Sequence, residues 1–581
     1  MKTRPPVDVA IVGGGWTGLT MAKELATRTS LKILVLERGG PHKTRDYLDN
    51  MDELDYAIRL RTMQPIRDET VTLRHSMRDR ALPIRQYGSF LPGTGVGGSG
   101  EHWSGISYRY YPHDFRRLSH IVEKYGRARL PEGCTVRDWP ITYDDLEPDY
   151  ERAERLMGLS GKAGNLQGKT IEGGNIFEGP RQSEYPTPPM KMPHLAALFR
   201  DATHSLGYHP FPLPAATTSV PYTNPDGVSR AGCSYCGYCE RFGCMIGAKA
   251  QPSNTLMPVL ARRNNFEMRT GAWVRRLVLE SRHVRGVHYI DANGDEVFQP
   301  ADLVFLASWT LNNTRLLLLS KIGDPYDVET GDGLVGSHLT HQVTVPAATL
   351  FFEKPLNAFM GAGSAGIAIG DFDVLDHKDL DFVAGGALYT VCYGTRPIAN
   401  FGVVPPSVKA RWGADWKKAA LYHYDRAGLV RFYGEHLSYR GNYMDLDPVY
   451  KDRYGDPLLR LTLDWRDNER NLVRFITGHA AQVAQAMGAL EIQPFPGLKR
   501  YEVTRYQGTH LQGGTIIGAN ETHSVVNMYL QHWLAPNLFI LGASAFPQNP
   551  SSNPTLTAVA LTYRAADAVV QRYLKHPGAL A

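Results

Sequence analysis

The N-terminal segment restricts the fold of this chain more than any other feature. Residues 7–12, VDVAIV, form an apolar, β-branched run that is typical of a buried parallel strand, and residues 18–28 have the spacing of an amphipathic helix. Gly13, Gly15 and Gly18 lie in GxGxxG register at this strand-to-helix turn. We therefore predict a strand, a tight turn and a helix whose N-terminus points at the phosphates of a dinucleotide.

Each glycine of this motif has its own steric reason. The first permits the tight turn, the second lets backbone approach a pyrophosphate, and the third lets the helix pack on the strand. The next apolar run, LKILVLE, ends at Glu37, whose carboxylate can accept hydrogen bonds from ribose hydroxyls. An acid at this position disfavours a 2′-phosphate, so NAD or FAD is expected rather than NADP. The alternative is a tight turn that binds no ligand.

A second glycine-rich segment, LPGTGVGGSGEHWSG, covers residues 91–105. It has few side chains and many N–H groups, which suits close passage beside a flat ring or a second phosphate contact. The alternative is a flexible surface loop, but His102 and Trp103 at its end are unusual for a simple linker.

The remaining chain indicates an α/β protein with a discontinuous nucleotide-binding domain. A chain of 581 residues is expected to form at least two domains. Residues 284–308 predict strands around an Asn-Gly turn, whereas residues 341–496 are rich in aromatics, glycines and short strand signals that suit an antiparallel sheet. Residues 537–574 read as a buried strand, a Pro/Asn/Ser loop and a long helix. We predict nucleotide-binding segments at 1–340 and 501–581, with a substrate domain at 341–500.

Composition excludes several classes of function. The formal charge of +5 is small for a chain of this length, and no basic run suggests nucleic acid. No stretch reaches the ~18 consecutive apolar residues of a membrane span. The start of the chain has no apolar signal core, so we expect that it carries no export signal of its own.

Four of the six cysteines fall in GCSYCGYCERFGC, within the cysteine-rich loop 230–250. Cys233, Cys236, Cys239 and Cys244 have the spacing CxxCxxCxxxxC. Zinc accepts such thiolates, but four ligands so close together favour an iron–sulfur cluster. Disulfides and free thiols remain alternatives, although such local disulfides would close only short loops and stabilise little.

Several motifs together resemble the glucose-methanol-choline (GMC) oxidoreductases nearly end to end. They are GGGWTG with Glu37, GVGGSGEHW, LLLLSKIGDP, LVGSHLTHQ, THLQGGTIIG and ASAFPQNPSSNPTLTAVALTYRAAD. TVTLRHS, ALPIRQYGSFLPGTGVGGSGEHWSG and CGYC are most similar to the flavoprotein subunits of membrane-bound sugar and sugar-acid dehydrogenases. The resemblance implies a GMC-type, Rossmann-like FAD-binding domain with an inserted antiparallel substrate domain.

The resemblance implies FAD as the cofactor and a residue set that would hold it. Gly13, Gly15 and Gly18 would bind the pyrophosphate, Glu37 the adenosine ribose, and the Val274 backbone the adenine. The residues that would lie along the flavin are Gly97, Gly98 and Ser99. Those that would approach the isoalloxazine ring are Ala543, Asn553, Pro554 and Thr555.

His510 and Asn553 match the catalytic pair of the family. Oxidation of an alcohol needs a base for the hydroxyl proton, and a neutral histidine is the usual solution. The family fills the second position with His or Asn, which hydrogen-bonds the same hydroxyl. D-gluconate is the expected substrate and 2-keto-D-gluconate the product, with 2-ketogluconate, other aldonates, sorbitol or glucose as alternative substrates. A carboxylate substrate is expected to be met by an Arg or Lys that faces His510.

For the cysteines the resemblance implies a [3Fe-4S] cluster. Cys233, Cys239 and Cys244 follow the order of its three ligands, with the last gap one residue longer, and Cys236 is an extra thiol that leaves [4Fe-4S] open. Relatives of this kind pass electrons from FAD through the cluster to a multi-haem cytochrome c subunit. A small subunit with its own signal would carry the complex to the periplasmic side of the bacterial inner membrane, so membrane attachment would come only through a partner.

Two other functions stay open at this stage. A soluble GMC oxidase would use oxygen, and its cysteines would be structural. A catalytically silent flavin-binding or assembly protein would not need His510 and Asn553, whose presence argues against it.

Overall fold

A computed structural model describes residues 2–47, 62–85, 92–358, 361–392, 401–503 and 509–580. The α-helices within these ranges are Trp16–Arg28, Arg117–Tyr125, Tyr143–Met157, His194–Ser205, Pro252–Thr255, Met257–Leu260, Thr310–Ser320, Gly413–His423, Asp467–Ala486 and Pro554–Ala568. Among the described residues, no helix combines the length and the hydropathy that crossing a bilayer requires.

The largest sheet has eight strands and begins with the predicted N-terminal unit. Val7–Val12 lies between Ile33–Leu36 and Glu296–Leu306, and all three strands run parallel. The remaining strands extend this group on both sides, and a hairpin pairs antiparallel with the first half of Glu296–Leu306. They are Lys2–Thr3, Phe266–Arg269, Trp273–Glu280, His283–Ile290 and Leu538–Ile540.

Leu538–Ile540 joins the eight-stranded sheet from a late part of the chain. This strand pairs in parallel with the second half of Glu296–Leu306. The helix Pro554–Ala568 follows it and packs against Trp16–Arg28 and Tyr143–Met157. Parallel strands are buried on both faces, and here Val9, Val304 and Phe539 have no exposed surface.

A second, antiparallel sheet has six strands in the order Glu491–Pro494, Val343–Phe351, Ala427–Gly434, Gly386–Val391, Gly366–Ile369 and Pro210–Pro212. Five of them come from the segment predicted to be antiparallel, and Pro210–Pro212 joins from an earlier part of the chain. A four-stranded sheet contains Tyr443–Lys451, Pro457–Thr462, Val71–Arg74 and Leu82–Pro83. The mixed α/β fold class is confirmed, whereas the domain limits at 340 and 500 stay a prediction.

Candidate active site

One cavity connects the glycine motif to His510 and has a volume of about 330 Å³. Its walls come from both the parallel and the antiparallel sheet. Of the residues predicted from sequence to form the site, those lining it are Gly13, Gly15, Glu37, Gly97, Gly98, Ser99, Val274, His510, Ala543, Asn553, Pro554 and Thr555. Gly18 lies behind this surface, in the helix Trp16–Arg28.

The three motif glycines occupy three different steric environments. Gly13 has φ +105°, and a Cβ there would lie 2.5 Å from the Ala307 carbonyl oxygen. At Gly18 a Cβ would lie 2.0 Å from the carbonyl oxygen of Gly13, so helix and strand touch through backbone. At Gly15 a Cβ would meet nothing within 4 Å. The open space at Gly15 is the cradle that a phosphate group needs.

Glu37 is held by backbone amides. Its Oε2 accepts a hydrogen bond from the Gly14 N–H at 2.9 Å, and its Oε1 accepts from Gly39 at 2.9 Å and from Gly95 at 3.1 Å. A carboxylate has about four acceptor positions, so this buried group keeps capacity for a ribose hydroxyl.

The second glycine-rich segment packs on the first. The Gly97 N–H donates to the Gly14 carbonyl at 2.7 Å, and Gly97 and Gly98 both have positive φ, +101° and +53°. The backbone of this loop therefore forms cavity wall with no side chain at these positions. Leu91, the first residue of the segment, lies outside the described residues.

At the other end of the cavity, Gln342 fixes the His510 ring. The Gln342 amide Nε2 donates to the carbonyls of Pro550, Ser551 and Ser552 at 3.1, 2.6 and 3.1 Å. Its Oε1 must therefore accept, and it lies 2.6 Å from His510 Nδ1. His510 consequently carries its proton on Nδ1 and leaves Nε2 as an unprotonated acceptor.

The local fold explains this pairing. Thr340–His341 and Leu511–Gln512 form a short antiparallel ladder, with His341 opposite Leu511. Gln342 and His510 are the next positions along the two strands and therefore face each other. The His510 carbonyl also accepts from the Gln342 N–H and from Asn549 Nδ2.

Asn553 completes the polar end of the cavity. It is the N-cap residue of the last helix, but its side chain makes no capping bond, and its Nδ2 lies 3.3 Å from His510 Nε2. Its buried Oδ1 has no hydrogen-bond partner within the described part of the chain. An orphaned acceptor beside a histidine base suits a bound hydroxyl group.

Burial lowers the pKa of His510 to about 3, and the neighbouring His341 contributes in the same direction. The ring therefore stays neutral throughout the physiological range. A neutral imidazole with an unprotonated Nε2 can accept the proton of an alcohol.

The antiparallel sheet supplies a wall of tyrosines and one arginine. Tyr389, Arg431 and Tyr433 line the cavity, and Tyr389 is the cross-strand partner of Arg431. The rings of Tyr389 and Tyr433 stack with centroids 4.3 Å apart, and the Tyr433 ring lies 6.0 Å from that of His510. Burial raises the pKa of Tyr433, and the Arg431 charge opposes this rise.

The cysteine loop also reaches the cavity, through Glu240 and Arg241. Cys239 and Cys244 are buried, and Cys233 and Cys236 are half-buried. Burial raises the pKa of Cys233 to about 12, with the other three thiols adding to the rise, so the four cysteines are neighbours. Within the described ranges these four cysteines form no disulfide, and no set of three or more His, Cys, Asp or Glu side chains is placed to hold a metal ion.

Lys249 holds the cysteine loop in place. Its buried Nζ donates to the carbonyls of Trp103, Cys239 and Phe242 at 2.7, 2.8 and 2.7 Å. The Arg241 N–H adds a bond of 2.6 Å to the His102 carbonyl. The loop is thus joined to the segment that follows the second glycine cluster.

The sequence did not reveal the roles of Gln342, Tyr433, Arg431 and Lys249. Gln342 lies in a motif that was noted only for its resemblance, LVGSHLTHQ. Arg431 has a signal that could have been used, because a charged residue interrupts the otherwise apolar strand LVRFYG.

The cavity thus combines open space at a glycine-rich strand-to-helix turn with a neutral histidine, an arrangement that suits an oxidoreductase with a bound dinucleotide cofactor. Models described as GMC oxidoreductase match residues 220–344 and 438–562. The gluconate 2-dehydrogenase flavoprotein of Pantoea cypripedii is 42% identical over 99% of this chain and 95% of its own. This chain belongs to the GMC oxidoreductase family.

More distant relatives agree with this assignment. The fructose dehydrogenase large subunit of Gluconobacter japonicus is 26% identical, with 97% of each chain covered. A solved formate oxidase variant from Aspergillus oryzae has a TM-score of 0.61 at 15% identity, with 99% of each chain covered, which supports the fold. The cofactor is FAD, and the reaction is oxidation of a CH–OH group. The open cradle at Gly15 and the orphaned Asn553 oxygen fit FAD and an alcohol at the two ends of one cavity.

Proposed function

We propose that this chain is the flavoprotein of an FAD-dependent dehydrogenase that converts D-gluconate to 2-keto-D-gluconate. The observation that carries the proposal is the neutral His510, whose Nε2 lies beside Asn553 inside the cavity that begins at the glycine motif. The 42% identity to a gluconate 2-dehydrogenase flavoprotein supports the choice of substrate.

In this mechanism His510 Nε2 accepts the proton of the C2 hydroxyl. Asn553 Nδ2, which lies 3.3 Å from His510 Nε2, would donate to the hydroxyl oxygen instead when substrate binds. Gln342 keeps the imidazole proton on Nδ1, so that Nε2 can act as the base. The chemistry supplied by bound FAD is acceptance of the hydride from C2. The stacked pair Tyr389 and Tyr433 excludes water from the histidine and orients the sugar chain.

The proposed cofactor contacts follow the cavity wall. Gly13, Gly15 and Gly18 shape the turn for the pyrophosphate, Glu37 accepts from the adenosine ribose, and the Val274 backbone meets the adenine. The residues assigned to the flavin are Gly97, Gly98, Ser99, Ala543, Pro554 and Thr555.

The proposed electron acceptor after FAD is an iron–sulfur cluster in the cysteine loop. The cysteine order, the mutual proximity of the thiols and the position of the loop in the cavity wall support it. Among the described residues the four sulfurs are not arranged as metal ligands. Cys233, Cys239 and Cys244 are the proposed ligands of a [3Fe-4S] cluster, and Cys236 would be the fourth ligand of a [4Fe-4S] cluster.

The proposed partners are a multi-haem cytochrome c subunit and a small subunit, in a complex on the periplasmic side of the bacterial inner membrane. The name of the Pantoea relative supports a dehydrogenase of this type. Iron analysis and an anaerobic EPR spectrum of the purified chain test the cluster. A protein with bound FAD but neither iron nor an EPR signal would overturn it.

A second candidate, an oxidase that uses oxygen, is favoured by one observation. The 6'''-hydroxyparomomycin C oxidase of Streptomyces lividus is 28% identical over 97% of this chain and 91% of its own. Oxygen consumption with gluconate at the rate of dye reduction would establish the oxidase instead.

The alcohol oxidation is tested with the substitution His510→Ala. We expect gluconate to bleach the FAD of the native protein under anaerobic conditions and the variant to bleach at least ~100-fold more slowly. The control is His523→Ala, an exposed histidine. Dye reduction by the His510 variant at the native rate, with FAD bound, would show that the base is wrongly assigned.

A further inference from the structure

The charged groups of the cavity wall divide into two sets. Toward the glycine motif, three arginines are ion-paired with three acids of the same wall, and Glu37 is bound to backbone amides. The paired groups are Arg38, Arg275 and Arg315 with Glu69, Asp452 and Asp456. Among the described residues, this part of the wall therefore holds three positive and four negative groups.

The second set consists of Glu240, Arg241 and Arg431. They place two guanidinium groups and one carboxylate at this end of the described wall. The Arg241 Nε is buried and has no acceptor among the described residues. Two largely buried guanidinium groups in a cavity wall suit a ligand that carries a carboxylate.

Arg431 is the better placed of the two cations. It is only 7% exposed and lies two residues before Tyr433 on one strand, so both side chains face the cavity. Tyr433 contacts the His510 ring edge-on, and both Arg431 and Glu240 act on the Tyr433 phenol through their charges. Same-face neighbours in a strand are about 7 Å apart, so Arg431 lies next to Tyr433, whose ring centroid is 6.0 Å from that of His510.

We propose that Arg431, with Arg241 as a second cation, binds the carboxylate of a hydroxy-acid substrate whose oxidised hydroxyl lies next to that carboxylate. The inference rests on the proposed function, in which His510 takes the proton from that hydroxyl. A planar guanidinium binds a carboxylate through two parallel hydrogen bonds, so it fixes the orientation of the adjacent carbon as well as the charge. Arg431 is thus the residue that selects sugar acids over neutral sugars.

The test compares gluconate with gluconamide, which has the same hydroxyl groups and no charge. Arg431→Gln is expected to lower kcat/KM for gluconate about 100-fold, mainly through KM, and to change that for gluconamide less than about threefold. Arg431→Lys keeps the positive charge but loses the planar guanidinium that makes two parallel hydrogen bonds, so kcat/KM for gluconate is expected to fall about 10-fold. Arg241→Gln is expected to give a smaller loss than Arg431→Gln. The matched control is Arg474→Gln, an exposed arginine on the helix Asp467–Ala486.

A binding measurement accompanies the kinetics. 2-Deoxygluconate has no hydroxyl at C2, so it can bind without being oxidised there. We expect it to perturb the absorbance of bound FAD in the native protein. In Arg431→Gln, half-saturation of this change is expected to require a ligand concentration at least ~10-fold higher. An unchanged ratio of gluconate to gluconamide activity in Arg431→Gln, with unchanged 2-deoxygluconate binding, would overturn the proposal while leaving the dehydrogenase assignment intact.

The range of compounds that the native protein oxidises tells whether gluconate, the carboxylate site or both are wrongly assigned. If the native protein oxidises a different hydroxy acid and Arg431→Gln loses it selectively, gluconate is the wrong substrate and the carboxylate site stands. If the native protein oxidises neutral polyols and binds no sugar acid, both gluconate and the carboxylate site are refuted.

Discussion

The two ends of the cavity are built in different ways. The glycine end is formed by backbone, with Gly13, Gly18 and the amides around Glu37 in contact at distances that leave no room for a Cβ. The His510 end is formed by side chains that the fold brings together from distant segments, and Gln342 and His510 are 168 residues apart. The glycine end therefore depends on small size, whereas the His510 end depends on hydrogen-bond chemistry.

Gly18→Val is the change with the largest expected effect at the glycine end. The Cβ would overlap the Gly13 carbonyl oxygen, and backbone cannot move aside without separating helix and strand. We expect the variant to lose FAD and to unfold at a markedly lower temperature, as measured by flavin absorbance per protein and by thermal melting. Gly40→Val is the control, because a Cβ at Gly40 meets nothing within 4 Å.

Gly15→Val separates loss of FAD binding from loss of folding stability at the glycine end. Its Cβ meets no atom of the chain, so the melting temperature of the FAD-free protein is expected to stay near that of the native chain while FAD content falls. Full FAD content in either Gly15→Val or Gly18→Val would contradict a cofactor cradle at this turn.

Gln342→Leu is the corresponding change at the His510 end. His510 Nδ1 loses its acceptor and three carbonyls lose their donor, so the base is no longer held in one tautomer. We expect FAD reduction by the substrate to slow about 100-fold with FAD still bound.

Gln342→Glu distinguishes positioning of the base from general structural damage. A carboxylate at Nδ1 would raise the pKa of His510, so the acid limb of the rate profile should move to higher pH. A profile that keeps its native acid limb would show that Gln342 does not act through the imidazole.

Asp373 is a buried carboxyl group that is hydrogen-bonded to Ser551, whose carbonyl accepts from Gln342. Burial raises its pKa from 3.8 to about 7, against hydrogen bonds from Ser551 and Tyr111. A carboxyl whose folded pKa is raised stabilises the fold at low pH, and this contribution is lost as the pH rises from about 4 to about 7. Asp373→Asn should therefore gain about 2–4 kcal/mol over the native protein at pH 8 and almost nothing at pH 4, measured by urea unfolding.

The smallest expected effect is a flat pH profile. Because burial holds the pKa of His510 at about 3, the base stays unprotonated down to that value, so its protonation should not slow FAD reduction between pH 8 and pH 5. Stopped-flow measurement of FAD reduction at saturating substrate checks this. An acid limb near pH 6.5 that disappears in His510→Ala would show that the imidazole is solvated rather than buried.

The sequence predicts the two ends of the cavity unequally, for a physical reason. The glycine motif, its strand and its helix are contiguous, so spacing alone specifies their contacts, and the structure has the strand at Val7–Val12 and the helix at Trp16–Arg28. The neighbours of His510 come from separate elements, and no local pattern specifies that Gln342 faces it or that Tyr433 packs on its ring. Arg431 depends on which face of a strand meets the cavity, which only the assembled sheet decides.

Lys249 connects the cysteine loop to the cavity wall through hydrogen bonds to both. Its ammonium joins carbonyls on both sides of the boundary between the loop and the Trp103 segment, so neither side can shift alone without leaving a buried donor unsatisfied. Glu240 and Arg241 follow directly after Cys239 and face the substrate space. Alkylation or oxidation of Cys239 would therefore displace Glu240 and Arg241 in the cavity wall, and thiol damage would appear as altered substrate selectivity.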